Sequence, residues 1–264
     1  MKQIQDFSYR DSEGKKHKIK IIHQDEHILA INKPARLRVI PDHWIPNLPN
    51  LRDLLQQKLS SLYKKNEQFV WVIHRIDADT SGLVIFARNP YAHQTLNKAF
   101  EENQIQKTYL AIVQGCPDQS EGEINLPIDT KRRSKGRVRI HPEGKPSSTK
   151  YRVIEKFRDF ALLEVLPQTG RTHQIRIHLQ YIGHPLAIDP LYNKTDKITI
   201  SQLRGKWIKT GSGEENAIIS RLSLHAYKLK FPHPETGKLL QLEAETPKDF
   251  NAFYKALKKW NTKI

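Results

Sequence analysis

Three polar segments stand where an ordinary folded core has no need of them. The first is His74-Arg75-Ile76-Asp77-Ala78-Asp79-Thr80-Ser81-Gly82, set between apolar runs that begin at Phe69 and Leu83. A carboxylate at a strand end faces a cleft from a rigidly held backbone, a good position for a nucleophile or base. The plainer account is a turn, in which Asp77 or Asp79 bonds its own backbone. Two nearby carboxylates also admit a glycosidase-like acid/base pair, although nothing local fixes their separation. The second segment, Gln168–Leu179 (QTGRTHQIRIHL), gathers two arginines and two histidines around a helix start. Helix N–H groups and guanidinium there suit a phosphate, and a solvated polar face is the bland alternative. Arg176 lies between Ile175 and Ile177, so its stem is partly enclosed and its charge wants a carboxylate. The third is Lys107-Thr108-Tyr109. Tyr109 opens an apolar strand, where core filling is the default role.

The elements that must position these residues follow from periodicity. Residues 1–18 are polar, a flexible arm or one edge strand. Residues 19–23 and 28–31 form short strands joined by the turn Gln24-Asp25-Glu26. Residues 41–50 hold three prolines and are irregular. Apolar residues at 51, 54, 55, 59 and 62 predict a helix over 51–62. Strands are expected at 69–76, 83–87 and 108–113, with a helix opened by Pro90 between the last two. Residues 117–148 are charged and poor in apolar content, an excursion with weak strands at most. An antiparallel pair is expected at 151–154 and 160–165. A helix comes next over 170–183, capped by Thr172 and closed by Gly183 and Pro185. Strands over 222–231 and 239–244 and a helix over 247–259 finish the chain. Strands dominate without a repeated βαβ pattern, so the class is α+β with a mostly antiparallel or mixed sheet.

Composition narrows the partners. Lys plus Arg number 44 and Asp plus Glu 28, a formal charge of +16 over 264 residues. Such a field attracts polyanions: RNA, DNA or an anionic membrane. The excess is clustered at Lys15, Lys16, Lys18 and Lys20, again from Lys131 to Arg139, and at Lys255, Lys258, Lys259 and Lys263. The single cysteine, Cys116, rules out an internal disulfide framework. His173 and His178 are five apart, off a common helix face, and no HExxH motif is present, so no metal site is expected. No stretch approaches the ~20 apolar residues of a membrane helix, and MKQIQDF lacks the run of a signal peptide. A cytoplasmic location is the expectation. No coiled-coil pattern points to an oligomer, so a monomer is the default.

HRIDADTSGLVIFARN (74–89) resembles the signature of the RluA-type RNA pseudouridine synthases, whose usual form is HRLDxxTSGLxxxAK. DEHILAINKP (25–34) is similar to the family's N-terminal motif, and KTYLAIV (107–113) to its tyrosine strand. TGRTHQIRIHLQYIGHPLAIDPLY (169–192) is similar to its arginine motif and the segment after it, and LHAYKLKFPHP (224–234) to its last strand. Five motifs in family order span residues 25–234.

The resemblance implies a pseudouridine synthase fold over 19–264, with a central mixed sheet in two halves and a catalytic cleft between them. It implies that Asp77, not Asp79, is the catalytic residue. It makes Tyr109 the active-site tyrosine that stacks on the base, and Arg176 the arginine that pairs with the catalytic aspartate. Leu224 matches the aliphatic residue packed against the base. Arg75 precedes the catalytic loop and fills the space of a flipped nucleotide. The sequence departs from the pattern at Ile76, where leucine is commoner, and at Arg36, where glycine often follows KPA. Many relatives carry an N-terminal S4 domain, and the residues before Lys18 are too few to form one.

The implied reaction is isomerisation of uridine: the N1–C1′ bond breaks, the uracil turns, and C5 joins C1′. It needs no cofactor. The target must leave its stack to be reached. The carboxylate either attacks C1′ or removes the C2′ proton, and both routes use one residue. The expected partner is structured RNA, ribosomal or transfer. Two other readings share the composition: a non-catalytic RNA-binding protein retaining this fold, and a glycosylase that releases free base.

Overall fold

A computed structural model describes residues 2–41, 45, 48–65, 67, 69–134, 136–205 and 215–262, without the side chains of 132–134. The chain divides into two compact units, 1–107 with 226–245, and 108–225 with 246–264. This division is finer than the single catalytic domain expected over 19–264.

The first unit begins with β1 (Phe7–Arg10), β2 (Lys16–Gln24) and β3 (Ile28–Lys33). It continues through α1 (Leu51–Tyr63), β4 (Trp71–Val72), β5 (Ser81–Ala87) and α2 (Pro90–Glu101). The chain leaves it along β6 (Gln106–Gln114). The second unit adds β7 (Glu121–Asn125), β8 (Ile128–Ser134), β9 (Arg137–Ile140), β10 (Ser148–Lys156) and β11 (Phe160–Pro167). Helices α3 (Gln174–Tyr181) and α4 (Ile200–Arg204) come next. The chain returns to the first unit along β12 (Leu224–Pro232) and β13 (Leu239–Glu243), and ends in the second with α5 (Lys248–Trp260).

In the first unit the strand order is β1-β2-β3-β5-β12, with β13 on β12 and β4 on β5. Alternation along the strands sends side chains to two opposite cores. Leu29, Ile31, Val84 and Phe86 meet Leu51, Leu55 and Leu59 of α1. Ile28, Ala30, Leu83, Ile85 and Ala87 meet Ala92, Leu96 and Ala99 of α2. A helix on each face explains why all of β5 is buried. Asn50 caps α1 by accepting from Asp53 N–H (3.0 Å), and Asn89 caps α2 by accepting from Ala92 N–H (2.8 Å), with Pro90 just inside.

The second unit repeats the scheme. Its sheet runs β6-β11-β10-β7, with antiparallel pairings throughout. Ala111, Val113, Ala161, Leu163 and Val165 pack with Ile175 and Leu179 of α3. Ile112 and Leu162, from the other face, pack with Phe250, Phe253, Ala256 and Leu257 of α5. The α+β class therefore holds.

Three elements differ from the sequence reading. The strand expected over 69–76 pairs only at Trp71 and Val72. The next opposing N–H, that of Ile85, donates to His74 Nε2 (3.0 Å), so a side chain replaces the ladder and frees residues 73–80 from it. Within 117–148, β7 is a full member of the sheet through five paired residues. Its one buried apolar residue, Ile124, is too weak a signal to mark a strand, and Gly122 lets the Tyr151 ring lie against the backbone. Helix α3 starts at Gln174, not near Gly170, and Thr172 does not cap it. The residue before it, His173, sits at φ 54°, and the Gln174 side chain bonds the approach instead. Its Oε1 accepts from Arg171 N–H (2.9 Å) and Thr169 Oγ1 (2.7 Å), and its Nε2 donates to Ser148 O and Thr149 Oγ1. Of the segment expected as an arm or edge strand, residues 7–10 pair with 16–19 as that edge strand.

Candidate functional site

Asp77 opens a tight turn closed by Thr80 N–H donating to Asp77 O (3.2 Å). The segment does turn, but this bond is main chain to main chain and not the side-chain bond expected of Asp77 or Asp79, and Asp77 lies beyond the paired residues Trp71 and Val72. Asp77 is half-buried and Asp79 exposed, as is Arg75. The loop is fixed through its backbone. Lys33, fully buried at the end of β3, donates to Ala78 O (2.9 Å), Pro34 O (3.0 Å) and Leu37 O (2.7 Å). An ammonium has three donors and no acceptor, so carbonyl oxygens are partners it can use. On the far side of the turn, Gly82 pairs with Lys33 across the sheet at φ +119°. A Cβ there would lie 2.1 Å from Ala226 O. The SG of the motif is therefore steric: only glycine lets β5 lie this close to the β12 backbone.

His74 is held neutral beside this loop. Its Nε2 accepts the Ile85 N–H, and its ring stacks on Phe100 at 5.2 Å. Burial, then the charge of Lys107, holds its pKa down at about 3. Burial also lowers the Lys107 ammonium.

In the second unit, Tyr109 is half-buried at the start of the β6 face that packs with α3, opposite Val165 of β11. Leu224 is 3% exposed and belongs to the same apolar cluster as Ile175 and Leu179. Arg176 is 3% exposed, and its buried carboxylate is Asp189, fully enclosed. Nε and Nη2 of Arg176 donate to Oδ2 and Oδ1 of Asp189, each at 2.8 Å. Asp189 Oδ1 also accepts from the N–H groups of Leu191 (2.9 Å) and Tyr192 (3.1 Å). Such a pair is satisfied as a unit, and either charge alone would be costly. On the same helix, His178 bonds Thr149 Oγ1 (2.9 Å) and Leu126 O (3.1 Å), and burial lowers its pKa, against the bond to Leu126.

Asp77 and Arg75 thus belong to the first unit, and Tyr109, Arg176 and Leu224 to the second. Lys33, Gly82 and Asp189 complete the local geometry, and sequence reasoning did not single them out. The signal for Lys33 was a lysine ending the apolar run ILAIN, and for Asp189 the expectation that Arg176 wants a carboxylate, a place the resemblance assigned to Asp77. The basic clusters are partly engaged: Lys18 pairs with Asp6, Lys20 with Glu245, Arg139 with Asp129 and Lys258 with Glu155. Lys135 and Lys263 lie outside the described residues, as do the side chains of Arg132 and Arg133. Among the described residues no group of His, Cys, Asp and Glu side chains could hold a metal, and no helix is long and apolar enough to cross a membrane.

Residues 27–181 match the family model described as RNA pseudouridylate synthase, a stretch containing Asp77, Tyr109 and Arg176 but not Leu224. The chain is similar to the ribosomal large subunit pseudouridine synthase D of Nitrosomonas europaea, 34% identical over 242 residues, 91% of this chain and 65% of that protein. It is similar to the ribosomal large subunit pseudouridine synthase C of Escherichia coli K12, 36% identical over 228 residues, 85% and 65% of the two chains. It thus spans just under two thirds of the length of these relatives. Among solved structures it resembles human RNA Pseudouridylate Synthase Domain Containing 4, with a TM-score of 0.71, 26% identity, and coverage of 90% of this chain and 92% of that one.

Proposed function

This chain belongs to the RNA pseudouridylate synthase family, and on that premise we propose that it isomerises specific uridines to pseudouridine in structured RNA, with Asp77 as the nucleophile. The observation that carries the reading is the Asp77 turn, anchored by the buried Lys33 to Ala78 O inside the family-matched stretch. That anchor is a costly arrangement for a loop whose only task is to reverse the chain.

The target uridine is flipped out of its stack. Arg75, exposed beside the loop, fills the space it leaves. Tyr109 offers its ring to the base, a contact worth ~1–3 kcal/mol in single-strand binding. Leu224 lines the base pocket, and Arg176, its plane set by Asp189, binds substrate. Asp77 acts on the ribose at C1′ or C2′, the N1–C1′ bond breaks, the uracil turns and C5 joins C1′. The C5 proton is then lost with the help of Tyr109, and N1 takes up a proton from solvent. No cofactor enters. The names of the curated relatives favour ribosomal RNA as substrate, with transfer RNA as the second candidate. The protein acts as a monomer in the cytoplasm, and the basic segments supply salt-sensitive affinity for the phosphate backbone.

The test uses ribosomal and transfer RNA labelled with tritium at uridine C5, taken from cells lacking this protein. Release of tritium without free uracil is the expected result. Free base would point to a glycosylase, and salt-sensitive binding without release to a non-catalytic RNA-binding protein.

A further inference from the structure

The β8–β9 hairpin carries Lys131, Arg137 and Arg139, yet it is firmly seated. Ile128 and Val138 are buried with Ile177 of α3 and Tyr192. Tyr192, 6% exposed, is the post on which they meet. Its hydroxyl accepts from the Val138 N–H of β9 (3.0 Å) and lies 3.1 Å from Nδ1 of His173, the residue before α3. Its ring centroid is 5.1 Å from Arg176 Cζ and 5.3 Å from Arg137 Cζ. Its own N–H donates to Asp189 Oδ1, the oxygen that also accepts from Arg176 Nη2. One side chain therefore touches the basic hairpin, the approach to α3 and the Arg176–Asp189 pair. A guanidinium is planar, so a carboxylate on its edge and an aromatic ring beside it restrict its orientation.

We infer that Tyr192 is a positioning residue that ties the β8–β9 hairpin to Arg176, so that seating RNA on the hairpin and setting the Arg176 guanidinium are one event. The kinetic consequence rests on the reaction proposed above; the mechanical one rests on geometry alone. The hydroxyl is the informative group, because it accepts from Val138 N–H and lies beside His173 Nδ1. Tyr192→Phe keeps the ring and leaves a buried N–H without its acceptor, which loosens the hairpin.

The experiment follows two protons by NMR in the wild type and in Tyr192→Phe: the Val138 amide and the Arg176 Nε–H. Both exchange with solvent about tenfold faster in the variant if the two sites open together. A faster Val138 amide with an unchanged Arg176 Nε–H overturns the inference. Should the variant not fold, the wild type titrated with oligouridylate decides: both protons slow together, and slowing of Val138 alone is the contrary result. In tritium-release kinetics, Tyr192→Phe lowers kcat about tenfold with KM within about threefold, and the reverse split overturns the coupling. If the wild type releases no tritium, the proposed reaction fails, and the two exchange rates still decide the coupling.

Discussion

The Asp77 turn and the Arg176 helix hold their charged residues by opposite means. The turn is gripped through its main chain: Lys33 takes Ala78 O, Thr80 N–H closes on Asp77 O, and Gly82 lies against the Ala226 backbone. The Asp77 side chain itself is half-buried. Arg176 is gripped at the side chain itself, edge-on by Asp189 and with its Cζ over the Tyr192 ring. For the nucleophile role proposed for Asp77, a hold on the backbone orients the group it carries. For the substrate-binding role proposed for Arg176, a side chain already fixed loses less entropy on binding.

The contrast predicts which substitutions each region tolerates. The largest effect is expected at Gly82. An added Cβ must displace backbone, at a φ of +119° that L residues rarely adopt, so Gly82→Ala costs ~4 kcal/mol or more. Urea unfolding or the yield of soluble protein reads this directly. Next is Asp189→Asn, which removes the carboxylate that takes both Nε and Nη2 of the buried Arg176 and costs ~3–5 kcal/mol. A cost below ~1 kcal/mol in urea unfolding would mean that the guanidinium is not held by this pair.

A smaller, pH-dependent effect separates the regions further. The folded pKa of His74, about 3, lies below its unfolded value. The unfolded chain therefore binds the proton first, and the stability this neutral imidazole contributes is complete above pH ~6.5. It is lost as pH falls from there towards 3, by at most ~1.4 kcal/mol per pH unit. His74→Asn flattens that part of the stability–pH curve, and a curve parallel to the wild type would refute the assignment. The smallest effect is at Arg36, which sits at φ 63°. Arg36→Gly relieves ~1–2 kcal/mol of left-handed strain but frees the unfolded chain, leaving a gain of up to ~1 kcal/mol. Thermal unfolding detects it as a rise in Tm, and a fall would show that contacts of the arginine outweigh the strain.

Much of this was legible in the sequence. Alternation and apolar spacing located α1, α2, α5 and most strands, because their burial depends on neighbours a few residues away. The charge of Asp77 and the enclosure of Arg176 were visible from residue type and setting. What stayed hidden depends on residues far apart in the chain. The short β4 comes from a histidine replacing a ladder partner, and Asp189 becomes the mate of Arg176 only when α3 and the loop after it fold together. Strand β7, with one buried apolar side chain, is defined by its pairing with β10 and not by its own pattern. Short α4 carries a complete capping box, Thr199 with Gln202, a signal the sequence does contain but that no expectation used.

Whether Asp77, and not its neighbour two residues on, performs the reaction is open to direct measurement. Single-turnover tritium release should be compared for the wild type, Asp77→Ala and Asp79→Ala on the same labelled ribosomal RNA, with RNA affinity measured alongside. With Asp77 as the nucleophile, Asp77→Ala binds RNA and releases no tritium, whereas Asp79→Ala stays within about tenfold of the wild type. Release that survives in Asp77→Ala, or disappears only in Asp79→Ala, would contradict that role.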